Sequence, residues 1–175
     1  MMKPVWRRIF SMALVISDSS VLIHLARIDR LDLLKTFFRK ITLPPSVWRE
    51  VVDEGRGRPG AFTIEKAQKD GWINVVEPQN KNIIQLLMQQ LDAGEAQALA
   101  LAIEHENSTL LIDEAEGRKI ASIYHVHIIG TIGLLIRAFY ENKINSFQAE
   151  LDRLVNEGGF RISKNLYEKV RNQVK

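Results

Sequence analysis

The chain contains no cysteine in 175 residues. Disulfides and thiolate metal sites are therefore excluded, and the absence fits a reducing, cytoplasmic compartment. Long hydrophobic runs are missing too, since none approaches the ~20 residues that span a bilayer, so no membrane partner is expected. The opening MMKPVWRRIFSMALVIS has the outline of a signal peptide. Arg7, Arg8 and Ser11 break its apolar part, and it runs straight into Asp18. It reads instead as an N-terminal extension (1–13), with Met12 as an alternative start. GxGxxG, Walker A and GxSxG motifs are absent, which removes the nucleotide-binding and serine-hydrolase signatures. The four histidines, His24, His105, His125 and His127, have no ligand spacing such as HxxxH and read as structural or exposed. No repeat, low-complexity tract or linker divides the chain. An apolar fraction of 46% and a charged fraction of 26% are ordinary for one globular domain. The net charge of +3 permits a nucleic-acid partner without requiring one.

Two short hydrophobic runs each stop on an aspartate. LVISDSS (14–20) ends its apolar stretch at Asp18, and TLLIDEAEG (109–117) ends its own at Asp113. Similar short runs occur at 40–45, 72–78 and 127–130, and segments of helical periodicity alternate with them. Between 19 and 38 the helical pattern is open to interruption at Asp29 or Asp32, and 46–55 reads as one helix closed by Gly55. This alternation predicts an α/β fold, a three-layer α/β/α arrangement around a central parallel sheet. The main domain is expected over 14–145. The segment 146–175 is expected to form a helical hairpin packed on it, with Phe147, Leu151, Leu154 and Val155 as its apolar stripe.

In such a sheet, chemistry sits at the carboxyl ends of the strands, where Asp18 and Asp113 would converge. A cluster of carboxylates there suits a hard divalent cation, Mg²⁺ or Mn²⁺. Glu95 heads the buried face of GEAQALALAIE and is the best further acid, although a first-turn glutamate also favours the helix dipole. Glu50 lies on SVWREVV and reads in isolation as solvent-facing. Glu114 and Glu116 flank Asp113 as outer-sphere candidates. Ser19 and Ser20 are placed to cap a helix or to orient Asp18. Thr131 is placed to contact phosphate or water, or to cap the helix that follows it. Arg56 and Arg58 in a glycine-rich loop, with Arg118 and Lys119, are candidate phosphate contacts, and each taken singly reads as solvated surface.

The segments LVISDSSVLIHLARI, ITLPPSVWREVV, LDAGEAQALALA, TLLIDEAEGRKIA and HIIGTIGLLIRA resemble, in that order, the PIN-domain superfamily of metal-dependent nucleases. The resemblance spans about 14–170 and is closest to a prokaryotic branch related to VapC-type toxin ribonucleases. It implies that Asp18, Glu95 and Asp113 bind metal and that Glu50 completes the pocket. It also implies hydrolysis of RNA by metal-activated water, an antitoxin-like partner and a homodimer. Two departures stand out: Glu114 replaces a second aspartate, and a threonine expected near the end of that strand is Leu111, leaving Ser20 or Thr131 to supply its hydroxyl. The alternative is a weak or inactive PIN-like protein that binds nucleic acid or regulates. A phosphotransfer protein is disfavoured, because Asp18–Ser19–Ser20 lacks the D-x-D of haloacid dehalogenases and no late strand end offers a receiver lysine.

Overall fold

The computed structural model describes residues 14–174 except 59, so the expected extension 1–13 lies outside the described residues. Five three-residue strands, β1 (Val15–Ser17), β2 (Ile41–Leu43), β3 (Ile73–Val75), β4 (Thr109–Leu111) and β5 (His127–Ile129), form one sheet. Every pairing is parallel and the order is β3-β2-β1-β4-β5. The central strands β1, β2 and β4 are buried along their whole length, which is why their sequences are continuous rather than alternating apolar runs.

Period-two alternation along these strands feeds two cores. Val15 and Leu111 point into one, with Leu22, Leu25 and Val21 of α1 (Ser19–Arg27), Leu34 of α2 (Asp32–Phe38) and Leu134 and Leu135 of α8 (Thr131–Tyr140). Ile16, Leu110 and Ile112 point into the other. There they meet Leu87 of α5 (Lys81–Leu87), Leu99 and Leu101 of α6 (Ala93–Glu104) and Ile120 of α7 (Ala115–Ile123). The result is the expected three-layer α/β/α sandwich. Helix α6 is buried on nearly every side because α5, α7, β1 and β4 surround it together with α3 (Pro45–Trp48). Its low-volume run Ala96, Ala98, Ala100, Ala102 suits that crowding.

The chain does break where an aspartate allowed it: Asp29 takes a left-handed φ of 54° between α1 and α2. The single helix expected over 46–55 is instead α3 followed by a π-helical turn, Arg49–Asp53, in which Glu54 N–H reaches back five residues to Arg49 C=O. Gly55 is required just after it, because a Cβ there would lie 2.2 Å from the Val51 carbonyl oxygen. The apolar positions Val51 and Val52 are buried, but Trp48 is only half-buried. After α4 (Ala61–Lys69) and the elements already described, α9 (Phe147–Asn156) and α10 (Lys164–Gln173) close the fold. Phe147, Leu151, Leu154 and Val170 join the same core as Val15, while Val155 is half-buried. No helix among the described residues is long and apolar enough to cross a membrane.

Candidate active site

The chain runs outward from β1 to β2 and β3 on one side, and from β4 to β5 on the other. The carboxyl ends of β1 and β4 therefore flank the point where strand order reverses, the usual crevice for ligands in an open parallel sheet. Asp18 follows β1 there and is itself the cap of α1. Its Oδ2 accepts hydrogen bonds from the Ser20 N–H (3.3 Å) and the Ser20 hydroxyl (2.8 Å). Ser20 thus orients the carboxylate, and Asp18, not a serine, caps the helix. Asp18 is 1% exposed, and its Oδ1 has no hydrogen-bond partner among the described residues. Burial pushes its pKa up to about 6, against the lowering effect of the Ser20 hydrogen bonds.

Glu95 stands on the first turn of α6 and lines the same cavity. It forms a capping box with Asp92: Glu95 N–H donates to Asp92 Oδ1 (2.8 Å) and Asp92 N–H donates to Glu95 Oε2 (3.2 Å). It is also 7% exposed. Burial, with the charges of Asp92, Asp18 and Glu114 adding to it, raises its pKa to about 7. Asp18, Glu50, Asp92, Glu95, Glu114 and Glu116 all line one cavity of about 400 Å³. Glu50 reaches it from the π-helical turn and is half-buried, so it is not the solvent-facing residue its sequence context suggested. Gly94 lies against both acids: a Cβ there would make ordinary contacts, 3.5 Å from Glu50 Oε2 and 3.4 Å from Asp92 Oδ1.

Asp113 stands apart from this cavity. Its Oδ1 accepts from Thr131 N–H (2.7 Å) and its Oδ2 from the Thr131 hydroxyl (2.6 Å), and His24 Nδ1 lies 2.8 Å from Oδ2. It lines a second, largely aliphatic cavity of about 660 Å³ with Arg118 and Ile129.

A family model described as a PIN domain matches residues 14–175. The chain belongs to the PIN-domain family. No curated protein matches it. The family carries a nuclease fold, and its nucleases generally use divalent metals.

The acid cavity of this PIN domain fits such an ion in its donor chemistry: carboxylate and hydroxyl oxygens, one of them a bare buried Asp18 oxygen. As they stand, no three acid or imidazole groups among the described residues converge tightly enough to ligate one ion by themselves. Mg²⁺ does not need three, because it keeps several waters and is usually held by one or two carboxylates.

Thr131 opens α8, with Gly130 as the cap, and braces Asp113 rather than facing the acid cavity. Glu114 and Glu116 are exposed at its rim. Arg118 Nη1 donates to the Ile112 carbonyl (2.9 Å), and Lys119 pairs with Glu116 (3.5 Å) on the surface. Arg56 and Arg58 are exposed in the turn after the π-helical segment and do not line the cavity. Asp92 and His24 both line it and were not singled out from the sequence. The N-cap pattern D-x-x-E was the available signal for Asp92. No local signal existed for His24, whose partner is 89 residues away.

Gly130 holds the Asp113 brace together. A Cβ there would lie 2.9 Å from Asp113 Oδ1 and 2.9 Å from Arg118 Nη1. Gly130→Ala is expected to lower stability by about 1–3 kcal/mol, as overpacking does. Urea unfolding checks this, and an unchanged midpoint would show that Asp113 is free to move.

Proposed function

We propose that this PIN domain is a metal-dependent endoribonuclease that hydrolyses RNA phosphodiesters with water, leaving 5′-phosphate and 3′-hydroxyl ends. The observation that carries this reading is the buried, half-unpartnered Asp18 inside a six-carboxylate cavity at the strand-order reversal. Burial is the main cause of the raised values of Asp18 and Glu95, neighbouring carboxylates add to it, and both favour a counter-charge in the cavity.

Asp18 and Glu95 would hold Mg²⁺ or Mn²⁺, with Glu50 and Glu114 completing the pocket. The bound ion would supply the counter-charge, acidify a water and polarise the phosphodiester. Ser20 fixes the rotamer of Asp18, and Asp92 fixes that of Glu95. Asp113, a ligand by family resemblance, has both oxygens engaged by Thr131 and His24, so its part here is to hold His24 at the cavity edge. The Ser20 hydroxyl is committed to orienting Asp18, and water is the nucleophile in this reading. Arg56, Arg58, Arg118 and Lys119 would meet the RNA backbone beyond the cavity. An antitoxin-like protein that masks the cavity, and a homodimer, are the partners this reading entails.

The test is cleavage of structured and single-stranded RNAs by the purified protein with Mn²⁺ and then with EDTA, with Asp18→Asn as the contamination control. Cleavage that needs the metal and disappears in the variant is the expected result. Mn²⁺ binding without cleavage would favour the second reading, a silent PIN domain that binds nucleic acid. The engagement of Asp113 away from the acids is the observation on that side.

A further inference from the structure

The second cavity, of about 660 Å³, has the volume of an ordinary ligand pocket. It shares a wall with the acid cavity. His24 lines the acid cavity, whereas Asp113 and Phe160 line the second one. His24 touches both: Nδ1 lies 2.8 Å from Asp113 Oδ2, and its ring meets Phe160 edge-on with centroids 5.0 Å apart. One layer of side chains thus separates the two cavities. A ligand with a phosphate at the acids can place an adjoining group in the second cavity.

That cavity is apolar with one polar edge. Ile129 and, from α8, Ile132 and Ile136 pack toward the first core and line it. Ile128 lines it too, but its side chain packs on the opposite core, so Ile128 reaches the cavity with its main chain. β5 is an edge strand. The Ile129 C=O accepts from the Ile112 N–H, which turns Ile129 toward β4 and the N–H and C=O of Ile128 outward. The flanking outward positions are already committed: Val126 N–H donates to Ala121 C=O (3.0 Å), and Gly130 C=O accepts from Leu134 N–H (3.1 Å). Among the described residues, Ile128 therefore offers one unclaimed donor beside one unclaimed acceptor at an apolar cavity. An added peptide strand needs several such pairs in a row. A nucleobase needs one, because it is a flat ring with donors and acceptors adjacent on its edge.

We propose that the cavity beside β5 is a nucleobase subsite. An unstacked base of the RNA lies against Ile129, Ile132 and the Phe160 ring with its edge on the Ile128 main chain, while the adjoining phosphate sits at the acids. This builds on the hydrolytic reading above. Arg118 lines the same cavity and gives one N–H to the Ile112 carbonyl (2.9 Å), which keeps its charge close to the backbone passing between the two cavities. A fixed donor and acceptor select bases by the pattern on their edge, so the subsite makes cleavage depend on the base next to the cut.

Titration of the ¹⁵N-labelled, metal-free protein with adenosine, guanosine, cytidine and uridine in turn tests this without any cleavage. The Ile128 amide is expected to shift with at least one of them, with a Kd on the order of 1 mM, the scale of one stacked and hydrogen-bonded base. Gly133→Leu and Leu166→Trp fill the cavity from two sides. Gly133 is exposed on α8, and a Cβ there meets only Ile129 Cγ2, at 3.4 Å, while Leu166 is exposed on α10. Both variants should keep Tm and Mn²⁺ affinity and bind the nucleoside about 10- to 100-fold more weakly, the worth of a stacked base. Both should also lose the wild-type preference for the base next to the cut. No shift at Ile128 with any nucleoside up to about 10 mM, or equal affinity in the wild type and both variants, would overturn the proposal. A shift caused instead by a peptide of residues 1–13 would give this edge to a protein segment and overturn it too. If the wild type cleaves RNA but binds no nucleoside here, the subsite falls alone. If nucleosides bind here and nothing is cleaved, the subsite stands and the hydrolytic reading falls.

Discussion

Asp18→Asn is expected to make the metal-free protein more stable at pH 8 and, in the same molecule, to abolish RNA cleavage. The two effects share one cause. Asp18 is buried, and one of its oxygens has no partner, so its charge is costly to the fold. Asparagine has nearly the same shape, caps helices as well as aspartate does, and can still accept from Ser20. Removing the charge while keeping those bonds should raise stability by about 1–3 kcal/mol. For a chain of this size each kcal/mol shifts Tm by about 2–4 °C. Cleavage should fall by about 10²–10³-fold or more, the scale of losing one preorganised electrostatic group. Calorimetric Tm and a gel-based cleavage assay on the same preparation check both halves. A variant that is no more stable, or that still cleaves, would remove Asp18 from the centre of the site.

The second large effect is a stability that falls as pH rises, and that metal reverses. Asp18 and Glu95 have folded-state pKa values near 6 and 7, above their ordinary values of 3.8 and 4.5. A raised carboxyl binds its proton more tightly in the folded state than in the unfolded one. The stability this provides is complete below about pH 4 and is lost as pH climbs through 6 and 7. The loss should be on the order of 3 kcal/mol for each acid between pH 4 and pH 8, since shifts of about two units set that scale. Mn²⁺ should restore stability at pH 8, where both acids are ionised, and do little at pH 5, where protons occupy them. Urea unfolding at several pH values with and without Mn²⁺ provides the measurement. A metal effect as large at pH 5 as at pH 8 would mean that the ion binds somewhere other than this cavity.

Much of the architecture was legible because each level agreed with the next. Central strands buried on both faces leave short continuous apolar runs, and those runs located β1, β2 and β4. The Asp29 break followed from a residue whose side chain competes with helix hydrogen bonds. The π-helical turn at Arg49–Asp53 was not legible, because one extra residue in a turn barely disturbs an apolar pattern read over ten positions. In the site, Asp18 and Glu95 could be picked out as acids attached to buried faces. Asp113 looked identical to Asp18 in sequence, an apolar run ending in aspartate. What distinguishes them is tertiary: Thr131 and His24, neither adjacent in sequence, occupy both oxygens of Asp113. Local pattern identifies where a strand ends but not which neighbours its last carboxylate will find.

The strand order also has a consequence for biosynthesis. β1 is central, and Val15 pairs with Thr109. The cavity draws its acids from position 18 through position 116. A ribosome adding about 5–20 residues per second needs on the order of 5–20 s between releasing β1 and releasing its β4 neighbour. Throughout that interval Asp18 has neither its sheet partner nor Glu114 and Glu116. The nascent chain therefore passes most of its own translation with the site unassembled.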